Sequence, residues 1–162
     1  MKLKFTLLGC GSSMGVPRAD GFWGRCNPKQ KKNYRTRCSG LISSKNQNII
    51  IDTSPDLRSQ LIKNKVKNIS KVLFTHMHAD QTHGINDLRI FFLKQKKMID
   101  VYADKNTSIY LKKSFSYCFK SKHNYPSILK LHLLKKNHYF KDQKTNININ
   151  SVHVKHGQIN CM

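Results

Sequence analysis

Short apolar runs separated by polar, glycine-marked breaks set the rhythm of this chain, and the runs have strand length. Leu3 to Leu8 is the first. Leu41-Ile42 and Ile49-Ile50-Ile51 flank the polar turn Lys45-Asn46-Gln47 and predict a hairpin. Residues 71–75 and Ile99 to Ala103 predict two further buried strands. Leu129, Leu131 and Leu133 alternate as in a half-buried strand, as do Ile147 with Ile149 and Val152 with Val154. Helical spacing appears between these runs. Ser54 is placed to cap a helix with Pro55 at its first position, and Leu57 with Leu61 form an i,i+4 pair. Ile85, Leu88 and Phe92 predict a core-facing stripe. A helix near 107–119 turns Leu111, Phe115 and Cys118 inward, with Cys118 as a small buried hydrophobe. Strands outnumber helices, which gives the α/β class, and 162 residues without repeats or low-complexity linkers make a single domain over 1–162.

Two loops interrupt the pattern. Gly9 to Gly15 is rich in glycine, which points to positive φ or to backbone pressed against a neighbour. Its spacing fits neither a dinucleotide nor a Walker loop. Residues 18–37 are basic and irregular, with Trp23 and Tyr34 among Arg18, Arg25, Arg35 and Arg37, and read either as a solvated excursion or as a substrate-facing loop.

Charge sharpens the picture. Thirty Lys and Arg stand against eight Asp and no Glu, a net charge of +22. Such a field draws polyanions toward the protein. Lys outnumbers Arg 24 to 6, a bias that AT-rich codons would also produce. Five cysteines without a C-x-x-C pair argue against a disulfide framework and for a reducing, cytoplasmic setting. The start resembles a lipoprotein signal ending at Cys10, but Phe5 to Leu8 is shorter than the roughly 7 to 15 residues of a signal core. No stretch reaches the ~20 apolar residues of a membrane span, so no membrane partner is expected.

Thr75-His76-Met77-His78-Ala79-Asp80-Gln81-Thr82-His83-Gly84 carries the chemistry. Three imidazoles and a carboxylate follow directly on a buried strand, where polar groups emerge at the mouth of an α/β sheet. His76 and His78, two apart, point to one side of extended chain. Imidazole suits Zn and other transition ions, and Asp80 adds an oxygen ligand that Zn and Mn accept.

This run resembles the His-x-His-x-Asp-His motif of the metallo-β-lactamase superfamily, matched at His76, His78 and Asp80, with Gln81 where the last His belongs. The segments Leu8 to Ser13, Tyr34 to Ser39, Ile51 to Arg58 and His83 to Arg89 are similar to the bacterial branch that includes phosphoribosyl 1,2-cyclic phosphate phosphodiesterase. The resemblance implies an αβ/βα sandwich, incomplete at the C-terminus, because relatives continue with a bridging Asp and a final His that have no candidate here. It implies that His76, His78 and His156 hold one metal and that Asp80 is the main ligand of a second and a catalytic residue. It gives Asp52 the part of a carboxylate supporting the metal loop. His83 is expected at a helix start rather than as a substitute for the missing histidine. His123, His132 and His138 are expected at the surface, and a structural zinc at Cys26 and Cys38 lacks ligands.

The expected function is a metal-dependent hydrolase, using one or two Zn or Mn ions, of phosphodiesters: a cyclic phosphate ester or an RNA end. A thioester or acyl hydrolase of the same fold and a catalytically decayed basic nucleic-acid-binding module are the alternatives. The expected partner is an anionic small molecule or RNA, with a homodimer as candidate assembly.

Overall fold

A computed structural model describes residues 3–44, 47–122, 124–135, 139–142, 147–157 and 159–161. Six strands form its main sheet: β1 (Leu3–Gly9), β2 (Ser39–Ser44), β3 (Gln47–Ile51), β4 (Lys71–Leu73), β5 (Ile99–Ala103) and β6 (Leu129–Leu133), hydrogen-bonded in that order. The first three are antiparallel, and β3 to β6 are parallel. Parallel neighbours need crossovers. These are α1 (Leu57–Lys63) between β3 and β4, α2 (Ala79–Thr82) and α3 (Arg89–Gln95) between β4 and β5, and α4 (Lys105–Ser114) and α5 (Ser116–Phe119) between β5 and β6. Two antiparallel hairpins follow, β7 (Tyr139–Asp142) with β8 (Ile147–Asn150) and β9 (Val154–His156) with β10 (Ile159–Cys161).

The helices bury their apolar sides on one face of the sheet. Ile50, Val72 and Val101 share that face by register and join Leu57, Leu61, Phe91 and Leu111 in one core cluster. Leu3, Phe5 and Leu7 point away from it and are more than half exposed. The C-terminal ends of β3, β4 and β5 therefore come together at one rim, where Asp52, Thr75 and Asp104 emerge, the usual place for a site in an α/β sheet.

Several expectations shift in detail. α1 begins at Leu57 with Asp56 at its N-cap position, two residues later than expected, although the buried Ser54 hydroxyl accepts from Asp56 N–H at 3.2 Å, as a cap would, and donates to Gln60 Oε1. A 3-10 turn over Ile85–Leu88 changes the phase before α3, so Phe91 is buried and Phe92 only partly. The expected helix over 107–119 breaks at Phe115 into α4 and α5, and Leu111, Phe115 and Cys118 are buried as expected. Leu133, Val152 and Val154 are exposed. The residues Lys45, Asn46, His123 and His138 lie outside the described residues. His132 has partners: its Nε2 lies 2.7 Å from Asp100 Oδ1 and its ring stacks on Tyr102.

The glycine loop is pressed against a neighbour, as expected. Isolated bridges join Gly11 to Arg37 and Val16 to Arg35, and Gly15 has φ of 76°. The stretch 34–38 is anchored in turn by Asp56, whose carboxylate accepts from the Arg37 backbone at 2.8 Å and from its guanidinium at 2.8 and 2.7 Å. Buried Gln60 donates to the Arg37 carbonyl at 2.8 Å and to the Thr36 hydroxyl at 3.0 Å.

Candidate metal centre

The loop after β4 is stitched to the end of β3. Asp52 N–H donates to the Leu73 carbonyl and Thr53 N–H to the Gln81 carbonyl, at 2.9 and 2.7 Å. Gly84 N–H donates to the Thr53 carbonyl, and a Cβ on Gly84 would lie 2.0 Å from the Ser54 carbonyl oxygen, so only glycine fits there. Asp52 itself has φ of 58°, a left-handed conformation that Asp tolerates better than most residues. Its carboxylate accepts from Thr75 N–H at 2.8 Å and from the Thr75 hydroxyl at 2.7 Å. The expected support of the metal loop by Asp52 thus runs through Thr75, a residue that sequence reasoning passed over.

Thr75 Oγ1 is 3.0 Å from His76 Nδ1. With its proton given to Asp52, the hydroxyl accepts from Nδ1–H, which leaves the His76 Nε2 lone pair free to face the site. That nitrogen lies 3.1 Å from His78 Nδ1, and His78 is extended, so the two imidazoles share one side as their spacing predicts. β9 delivers the third, His156, with ring centroids 5.1 Å from His76 and 5.6 Å from His78. One ligand atom from each of the three lies within 4.8 Å of the others.

Burial lowers the pKa of His76, and the neighbouring His78 and His156 lower it further, against Asp80 and Asp104. The shift favours the neutral His76 ring with its lone pair, the form that binds metal. Burial drives the Asp52 carboxyl up to about 7 against its Thr75 hydrogen bonds, with Asp80 adding to the rise. Three converging nitrogen donors match the donor chemistry of a zinc site.

The other candidates lie outside this triad. Asp80 is half-buried and accepts from Gln81 Nε2 at 2.8 Å. Gln81 Oε1 is buried with no hydrogen-bond partner among the described residues. His83 closes α2 rather than beginning a helix, and its ring packs edge-on against Phe115, 5.5 Å between centroids. His153 is half-buried with an unpartnered Nε2 among the described residues. No second cluster of metal-ligating groups, and none at Cys26 and Cys38, occurs among the described residues.

Comparison with known proteins agrees with the fold. A beta-lactamase superfamily domain matches residues 47–160. The chain belongs to this superfamily. Its fold is the metallo-β-lactamase type, an α/β sandwich of mixed strands and flanking helices. The crystal structure of a diphosphatase of the PhnP family is similar at 25% identity and a TM-score of 0.83, over 99% of this chain and 60% of that one. Human tRNase Z, short form, shares the fold at 18% identity and a TM-score of 0.63, over 97% of this chain and 62% of that one. An octanoyltransferase of Porphyromonas gingivalis (strain ATCC BAA-308 / W83) is 31% identical over 160 residues, 97% of this chain but 32% of its own length. The chain thus spans about a third of that curated relative and less than two thirds of the diphosphatase. Within this superfamily member, no helix among the described residues is long and apolar enough to cross a membrane.

Proposed function

We propose that this superfamily member is a metal-dependent hydrolase of phosphodiesters, acting on a cyclic phosphate ester or an RNA end. The convergence of His76, His78 and His156 from two distant parts of the chain supports the reading most. Zn or Mn, when bound, supplies Lewis acidity that makes water a nucleophile near neutral pH and draws charge from a phosphoryl oxygen. The chain's own groups do the positioning. Asp52 and Thr75 fix the His76 tautomer, and His78 and His156 complete the nitrogen set. Asp80 is the carboxylate available to hold a proton beside the triad or to ligate a second ion, with Gln81 as its oxygen-bearing neighbour.

The net charge of +22 favours an anionic substrate, and similarity to a diphosphatase favours chemistry at phosphorus. The matched octanoyltransferase favours the competing reading, chemistry on an acyl group, although two thirds of that protein has no counterpart here. Turnover of bis-p-nitrophenyl phosphate with Zn or Mn, and none of an acyl thioester, is the expected result. The reverse preference would replace the phosphodiester reading, and metal binding without either turnover would favour a basic nucleic-acid-binding module. Inhibition by RNA should weaken as salt shortens the Debye length below its ~8 Å at physiological ionic strength. Salt-independent inhibition would remove the role given to the net charge.

A further inference from the structure

Two cysteines outside the imidazole cluster, Cys10 and Cys38, line one cavity where β1 and β2 meet the glycine loop. Gly9 is registered opposite Ser39 in the antiparallel pair and Gly11 forms an isolated parallel bridge with Arg37, which brackets Cys10 and Cys38 between two backbone contacts. The glycines on either side of Cys10 hold that alignment by shape. A Cβ on Gly9 would lie 2.1 Å from the Arg37 carbonyl oxygen, and one on Gly11 would lie 2.8 Å from that of Arg35. Gly11 N–H also donates to the Thr36 carbonyl at 2.8 Å. Cys38 Sγ donates to the Gly11 carbonyl at 3.3 Å, so this thiol is aimed at the residue next to Cys10. Both cysteines are free and exposed, and both line a cavity of about 240 Å³ with Phe5, Leu7, Gly40 and Asp52. One cavity wall and the contact of Cys38 Sγ with the residue after Cys10 thus bring both thiols to the same surface.

We propose that Cys10 and Cys38 form a vicinal dithiol that closes to an intramolecular disulfide by exchange with a small disulfide such as glutathione disulfide. The Cys10 thiolate attacks one sulfur of the oxidant, its S–S bond breaks, and one glutathione leaves as thiolate. Cys38 then gives its proton to solvent and attacks the Cys10 sulfur, expelling the second glutathione. Two protein thiols are oxidised and one glutathione disulfide is reduced to two glutathiones. Burial raises the Cys38 thiol pKa, which lowers its thiolate fraction and makes the second attack the slower step. The product ties the glycine loop to the start of β2 beside Asp52. The remaining thiols are differently placed: Cys26 lies exposed in the basic loop, Cys161 is buried, and Cys118 is buried with its pKa pushed up to about 11.

Incubation of the chain with excess glutathione disulfide, followed by alkylation and peptide mass spectrometry, tests this directly. Two of the five thiols should disappear, in a peptide linking Cys10 to Cys38 with no glutathione attached. Cys38→Ser should instead trap a stable glutathione adduct on Cys10. Five free thiols, a lasting adduct on Cys10 of the unaltered chain, or a link from either residue to Cys26 would overturn the proposal. The wild-type measurement stands even if a variant folds poorly, and it is independent of any hydrolase activity.

Discussion

His76 and His156 converge on the same cluster but are held in opposite ways. His76 is 7% exposed, its Nδ1 is engaged by Thr75, and Thr75 is anchored on buried Asp52. His156 is exposed at the end of a three-residue strand that pairs with β10 in a separate two-stranded sheet, and Gly157 turns the chain immediately after it with φ of 59°. Two-stranded hairpins are marginal by themselves. His76 is therefore anchored on the core, whereas His156 rests on a hairpin with little support of its own, so more of its order depends on what it binds. Ordering costs conformational entropy, and that cost offsets part of what the third nitrogen contributes.

The largest expected effect follows from that asymmetry. His76→Ala should leave the purified chain without bound Zn, and His156→Ala should weaken Zn less, as read by elemental analysis and calorimetric titration. Equal losses would put the two halves on the same footing, and a greater loss at His156 would invert the comparison. Hydrogen exchange gives a second view, because added Zn should protect the β9–β10 amides more than those of 75–84.

Next in size is the support behind His76. Removing a partner that orients a ligating imidazole typically costs about 10–100-fold in metal affinity. Thr75→Val should fall in that range. Asp52→Asn should as well, and Asn is the informative choice because it tolerates the left-handed backbone that Asp52 adopts. Unchanged affinity in both variants, with the fold intact by circular dichroism, would reduce the Asp52–Thr75 link to a feature of folding.

The same contrast explains what was legible in the sequence. His76, His78, Asp80, Gln81 and His83 fall within eight consecutive residues after an apolar run, so local spacing exposes them. Thr75 belongs to that run, yet its part depends on a carboxylate 23 residues earlier. The clamp on the glycine loop was invisible for the same reason, since Gln60 reaches Arg37 across 23 residues and Asp56 reaches it across 19. The start of α1 shifted although Ser54 keeps its expected contact with Asp56 N–H, while its hydroxyl proton goes to Gln60 across six residues. Phase shifted where a 3-10 turn, with three residues per turn, preceded α3. The presence of the main-sheet strands and the burial of Val72, Val101 and Leu111 followed from periodicity alone, because each has apolar neighbours on its own face, whereas the order of the strands in the sheet did not.

Gln81 offers a smaller and more specific test. Its Oε1 is buried without a partner among the described residues, and its amide donates to Asp80, the carboxylate proposed as ligand of a second ion. Imidazole matches Zn better than a carboxamide oxygen does. Gln81→His should raise Zn stoichiometry above that of the unaltered chain at the same free Zn. His83→Ala should leave it unchanged, since that ring packs on Phe115. A loss of Zn on His83→Ala with no gain from Gln81→His would reassign the ligand.

The smallest expected effect lies away from the triad, in the clamp that holds 34–38 against α1. The Arg37 guanidinium beside Asp56 holds that carboxyl below its ordinary value of 3.8, against the opposing influence of burial. A depressed carboxylate pKa contributes stability that is fully present above the unfolded value and lost as pH falls through the folded one. The contribution should therefore be constant near neutrality and disappear in acid, below the ordinary carboxylate value of 3.8. Asp20, paired with Arg18 and lowered to about 2, titrates in the same acid range, so the informative quantity is a difference between variants. Asp56→Asn should lower the unfolding midpoint at neutral pH and bring it together with that of the wild type in acid. Parallel curves over the whole range would mean that the Asp56 carboxylate does not carry the clamp, leaving the Gln60 hydrogen bonds to hold the glycine loop beside the metal centre.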